Sequence, residues 1–331
     1  MSLSSALTLS SRNLRVTVNP RVGGTITSII HRDSGLSVLG NVPWPVIDAP
    51  IDSGAARDEP EWLTRYTGGW PLLFPNGGDA CQVDGVFHGF HGEASISLWE
   101  SSLTAATLIL TRRFATVPVE MRREIALDGD MLVVREHLHM RGDDPIEVMW
   151  GHHPTLGSDL LAGPIEITTG ARHVTVDATY DPPANPLRPG ANGTWPMIAG
   201  KDGTVDLSRP SGPLASLVYL HDFDRAWIAV RRHDDAIGVA LSWDKHRFPC
   251  AWLWCELEGN PDPPWNSRTR LIGIEPNTTW PAAGMEKAKA SGGTLLRLAK
   301  GDELDATLLL HVFRPDGPVH SLDPAGRARI R

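Results

Sequence analysis

Cysteine is scarce: the chain has three, Cys81, Cys250 and Cys255, an odd number without paired metal-ligand spacing. This excludes a disulfide framework and reads as free thiols in a reduced compartment. Long apolar runs are absent as well. No stretch approaches the roughly 18 apolar residues of a membrane span, and the opening MSLSSALTLSSRNLRVTV lacks the basic start and unbroken apolar centre of a secretory signal. The expectation is a cytoplasmic protein with no membrane partner. Basic charge is in deficit, 31 Lys and Arg against 39 Asp and Glu for a net charge of −8, and the cations are scattered. Nucleic acid and anionic surfaces are therefore unsuitable partners, and a small uncharged ligand fits better. Long amphipathic helical patterns are missing too.

What the chain does have is alternation. Apolar residues recur with period two in residues 14–18, 106–114 and 166–176, as expected of strands with one buried face. Asp128 and Gly129 sit between two alternating runs, which predicts a long antiparallel hairpin over 119–140 because that dipeptide tolerates the positive φ of a tight turn. Further strands are expected at 23–31, 95–99, 146–151, 215–220, 226–232, 236–243, 251–257, 269–275 and 305–313. So many strands without interleaved helices must bury their apolar faces against one another. The fold class is all-β, a large antiparallel β-sandwich, as a single domain over 1–331. Residues 41–62 and 181–213 read as long surface loops, and the tail 314–331 as partly mobile.

Three segments carry chemistry: FHGFHGEASISLW at 87–99, MWGHHPTLG at 149–157 and LIGIEPNTTWP at 271–281. Glu275 lies inside an apolar run, where a carboxylate is costly to bury without a purpose. A histidine and a glutamate facing each other can give and take a proton near neutral pH, which suits reversible ring opening of a sugar. No metal, nucleotide cofactor or covalent intermediate is required. His88, His91, His152 and His153 also raise the reading of a metal site, but their spacings of three and one disagree with the i, i+2 period of ligands on one strand face. By the same alternation, His152 and His153 would point to opposite sides of a regular strand, so at most one enters a cleft.

In order and spacing these segments resemble the aldose 1-epimerases, or galactose mutarotases. NPRVGGTITSIIHRDSGLSVL is similar to the family's opening hairpin, GGWPLLFPNGGD to its Pro and Asn loop, HGEASISLW to its His-Gly segment, GHHPTL to its His-Pro segment and GIEPNTTWP to its Glu-Pro segment. The resemblance implies a galactose mutarotase-like supersandwich that interconverts α and β anomers of an aldose. It implies Glu275 as general base, His153 as general acid and His91 as a second histidine near the ring or anomeric oxygen. His88 and His152 are further candidates for lining the site. The chain departs from the family's common pattern in lacking an arginine after the Pro and Asn loop, and in having Thr155 and Leu156 where an aromatic pair is common.

The loop residues Asn76 and Asp79 could bond sugar hydroxyls, or complete the turn begun by Gly77 and Gly78. Tryptophan is abundant, 12 against 7 Phe and 3 Tyr, and Trp70, flanked by Gly68 and Gly69, is the first choice for a sugar platform. Two alternatives remain: a hexose-phosphate 1-epimerase, with Arg65, Arg122 and Arg123 as its cations, and a non-catalytic carbohydrate-binding protein. A glycosidase would need two carboxylates across the bond.

Overall fold

The computed structural model describes residues 6–51 and 54–330. Its strands are assembled chiefly into one 16-stranded sheet, accompanied by a three-stranded sheet, Leu7–Ser10, Leu14–Asn19 and Thr25–His31, and three two-stranded hairpins or pairs. Among the described residues all the strand pairs are antiparallel, with one isolated parallel bridge beside them. The hairpin expected at 119–140 is present as Val119–Asp128 and Met131–Met140, with Asp128 opposite Met131 and Gly129 at φ 62°.

The large sheet divides along one strand. Leu214–Arg232 is a single strand of 19 residues where the alternation predicts two. Asp222, at φ 55°, and a bulge in the facing strand between Thr169 and Ala171 absorb the irregular HDFDRA stretch without ending the pairing. Residues 214–220 pair with 251–257, whereas 227–231 pair with 238–242. Two groups of strands thus leave the same edge, and their apolar faces close over a shared core containing Leu132, Val134, Val218, Leu220, Leu253, Ile272, Ile274 and Leu308. Each such side chain gains roughly 1.5–3 kcal/mol from burial, and alternation of the pattern fixes which face of each strand turns inward.

Three expectations are corrected. Residues 95–99 form no strand; Glu93–Ile96 is a 3-10 turn, followed by a strand at Glu100–Leu103. The loop at 181–213 contains short strands, Asn192–Thr194, Met197–Gly200 and Gly203–Asp206, each too brief to show periodicity. The tail is tied down: Val319–Leu322 and Ala328–Ile330 pair and pack on Trp227 and Phe313, while Arg225 donates to the Leu322 and Asp323 carbonyls. Residue 331 of that tail and residues 52 and 53 of the 41–62 loop lie outside the described residues. The rest of that loop contains helix α1, Glu59–Leu63, whose first turn is closed by the Asp58 carboxylate accepting from the Glu61 N–H at 2.9 Å.

Candidate active site

Strand Arg270–Asn277 positions the candidate base. Ile272 and Ile274 point into the core, so Gly273, Glu275 and Asn277 point out of its other face. Gly273 leaves room for the carboxylate: a Cβ there would lie 2.5 Å from Glu275 Oε1. The neighbouring strand Cys250–Leu257 sets Trp252 opposite Glu275 and Trp254 opposite Gly273. On the other edge, Gly151 pairs with Asn277 and Thr155 with Gly273. His153 stands midway between those two pairings and therefore faces Glu275, with Nε2 3.4 Å from Oε1.

The alternation expected at the paired histidines is what the structure shows. His153 joins Glu275, while His152 turns into the core on the opposite face. There His152 Nδ1 accepts from Trp70 Nε1–H at 3.2 Å, and its Nε2 lies 3.3 Å from Glu136. Glu136 also accepts from Arg123 at 2.7 Å and Trp150 at 2.9 Å. Burial pushes the Glu136 carboxyl up, but His152, Arg123 and Trp150 more than offset this and hold it at about 2. This network belongs to the core.

His91 comes from the segment after the hairpin Cys81–Val83 and Val86–His88. Its backbone is left-handed, at φ 56°, and its Nδ1 accepts the Gly78 N–H at 2.9 Å. A ring nitrogen that accepts carries no proton, so neutral His91 has its proton on Nε2 and presents a donor there. Its ring lies 5.4 Å from that of His153. Helix α1 supplies a wall: Trp62 stacks on Tyr66 at 4.4 Å and meets His91 edge-on at 4.7 Å. Trp254, 5.9 Å from the His153 ring, gives its N–H to the Tyr180 hydroxyl at 3.3 Å. The segment carrying Tyr180 is anchored by Asp177, whose carboxylate accepts from the Tyr180 N–H at 2.6 Å and from the Tyr219 hydroxyl.

Glu275, His153 and His91 are 2, 6 and 8 % exposed, so all three are almost entirely buried. Burial raises Glu275 well above the ordinary carboxylate range and lowers His153 to about 4. His91 is pushed well below its usual value by burial and by the neighbouring His153. Burial thus disfavours the charged form of both Glu275 and His153, so the two do not form a permanent surface ion pair.

Several sequence candidates are placed elsewhere. Trp70 is fully buried and cannot act as an open platform. Its flanking glycines mark close backbone approach: a Cβ on Gly68 would lie 2.2 Å from the Gly40 carbonyl oxygen, and one on Gly69 2.5 Å from that of Ile26. Asn76 is fully buried and its amide is saturated, donating to the Asp79 and Gly89 carbonyls and accepting from Met285 N–H. Asp79 is a surface partner of Lys287 at 2.8 Å. His88 is buried opposite Cys81, with burial lowering its pKa and Glu93 acting the other way. The cations of the phosphosugar reading have other partners. Arg123 is in the core, Arg122 pairs with Glu124, and Arg65 bonds the Ala49 carbonyl and Thr64.

Trp62 and Tyr66 were not singled out in the sequence. The available signal was Asp58-Glu59-Pro60-Glu61, an N-cap residue followed by Pro and an acidic third position, which announces a helix start.

No protein-family model matches the chain, and neither does any curated protein. Solved structures do match. A protein from Escherichia coli K12 provisionally named an aldose 1-epimerase is 15% identical, with 94% of this chain and 99% of that one covered and a TM-score of 0.67. A galactose mutarotase related enzyme from Lactobacillus acidophilus is 16% identical over 94% and 99% of the two chains, TM-score 0.62. A galactose mutarotase-like protein from Lactobacillus casei is 17% identical over 93% and 100%, TM-score 0.60. The strand count, the antiparallel sheets and these superpositions agree that the chain has the galactose mutarotase-like β-sandwich fold.

Proposed function

We propose that the protein is a cofactor-independent aldose 1-epimerase acting on a small, unphosphorylated aldose. The observation that carries this reading is the register that sets His153 Nε2 and Glu275 Oε1 opposite each other at 3.4 Å, with His91 and two indoles around them.

Ring opening needs one proton removed from the anomeric hydroxyl and one added to the ring oxygen as the C1–O5 bond breaks and the C1 carbonyl forms. With the pair's proton passed from Glu275 to His153 Nε2 across their 3.4 Å contact, Glu275 as carboxylate takes the first and His153 supplies the second. The open aldehyde turns about C1–C2 and closes on its other face. In closure the roles reverse: His153 withdraws the hydroxyl proton and Glu275 returns its own to the carbonyl oxygen. The pair ends as it began. His91 Nε2–H is a fixed donor suited to the ring or anomeric oxygen, and the partly exposed Trp254 offers an apolar face for the C–H side of a pyranose.

The engagement of Arg65, Arg122 and Arg123 with other partners favours an unphosphorylated sugar. The opposed pair speaks against a binding-only protein, which would have no use for a matched acid and base. NMR exchange between anomers for a panel of free and phosphorylated aldoses tests the reading. Acceleration with free sugars is expected; binding without acceleration by any of them would assign the protein to carbohydrate binding instead.

A further inference from the structure

His153 has a second polar contact that the acid/base chemistry does not use. Its Nδ1 lies 2.9 Å from Thr155 Oγ1. Thr155 Oγ1 is also 2.7 Å from the Tyr66 hydroxyl and 3.2 Å from the His153 carbonyl oxygen. All of these groups are buried. A hydroxyl has one proton and two lone pairs, and a carbonyl can only accept. Thr155 therefore gives its proton to the His153 carbonyl and accepts from Tyr66 O–H and from Nδ1–H. The opposite assignment, with Thr155 donating to Nδ1, leaves the carbonyl contact without a hydrogen.

From this hydrogen-bond count we infer that Thr155, backed by Tyr66, is a positioning residue that holds the His153 proton on Nδ1, leaving Nε2 as the one nitrogen that exchanges protons with Glu275 and the sugar. The inference rests on the proposed epimerase reading for its catalytic meaning, but the tautomer is a property of the resting protein. His91, whose Nδ1 accepts from Gly78, is held in the opposite tautomer. Two histidines with ring centroids 5.4 Å apart are thus divided in role: His91 is a constant donor at Nε2, and His153 is a carrier that loads and unloads at Nε2. Fixing the proton matters because a histidine in the wrong tautomer presents a donor where the mechanism needs a lone pair.

The register accounts for the arrangement. Thr155 is opposite Gly273, so its hydroxyl shares the face of Glu275 and lies two residues from His153 on the same side. Pro154 between them supplies its carbonyl to the Ile274 N–H at 3.0 Å, which keeps the segment on the strand. Tyr66 reaches the same point from just beyond helix α1, with its ring edge-on to His153 at 5.7 Å. The position after the His-Pro dipeptide thus carries a hydroxyl that serves the histidine before it.

The test is 15N NMR of the histidine side chains in the intact protein near pH 7, with His153 assigned by His153→Gln. The expected spectrum has His153 protonated at Nδ1 and His91 protonated at Nε2. Thr155→Val, which keeps the shape and removes the hydroxyl, should shift His153 toward the Nε2–H tautomer and lower kcat by about ten- to a hundredfold, the usual range for a residue that orients an active histidine. Thr155→Ser should restore both. An Nε2–H tautomer in the wild-type protein, or an unchanged tautomer in a folded Thr155→Val, overturns the inference. Should Thr155→Val not fold, the wild-type spectrum and Tyr66→Phe, expected to weaken the Nδ1–H preference, still decide it. The spectra need no turnover, so absence of epimerase activity would count against the proposed function and not against this assignment.

Discussion

His153 and Glu275 are cross-strand neighbours, set opposite each other by the pairings of Gly151 with Asn277 and Thr155 with Gly273 on either side. Their 3.4 Å separation is therefore a property of sheet register, not of a mobile loop. A one-residue slip would turn Glu275 into the core and Ile274 into the site. The reactive geometry and the fold are specified by the same hydrogen bonds.

Gly273 tests that geometry without replacing either member of the pair. Gly273→Ala would place a Cβ 2.5 Å from Glu275 Oε1, and the carboxylate, at the end of a rotatable side chain, is what must move. Turnover is expected to fall about a hundredfold, the effect of an ångström of misplacement, with the thermal midpoint changed little. Unchanged kinetics in this variant would mean that the position of Oε1 is not critical.

The pH dependence follows from burial. With Glu275 raised and His153 lowered to about 4, Glu275 is the first of the two to take up a proton as pH falls. A second proton binds only as pH falls through about 4, leaving two acids and no base. The plateau of kcat/KM should therefore extend below 6.5, where an ordinary imidazole titrates, before falling near 4. The two groups act oppositely on stability: His153, lowered to about 4, costs stability as pH falls below 6.5, whereas Glu275, raised above 4.5, adds stability as it takes up its proton. Circular dichroism at each pH separates the two effects. An acid limb at 6.5 in folded protein would contradict the assignment.

The core network is a structural element. Arg123→Met leaves Glu136 buried without its guanidinium partner and is expected to cost about 3–5 kcal/mol in denaturant unfolding. Glu136, held at about 2 rather than 4.5, contributes stability that is complete above about 4.5 and lost as pH falls through 2. A near-native unfolding midpoint for Arg123→Met at pH 7 would show that the network adds nothing.

The strands were legible because apolar alternation is local, and Asp128-Gly129 specified its own turn. The opposite orientations of His152 and His153 followed from the same alternation. What was not legible depended on approach between distant segments. Trp70 looked exposed between two glycines, yet those glycines let the chain pass against Gly40 and Ile26 and sink the indole. Helix α1 has five residues, fewer than two turns, so its wall over the site left only a capping signal. The role of Thr155 could not be read from its identity, because it arises from three contacts to two residues, one of them 89 positions away.

The decisive measurement is the rate of exchange between α and β anomers of an unphosphorylated aldose, followed by NMR at pH 7 with the wild-type protein and with Glu275→Gln. Acceleration by the wild type and a loss of at least about a hundredfold in the folded variant is the expected pair of results. A variant that matches the wild type would remove Glu275 as the base.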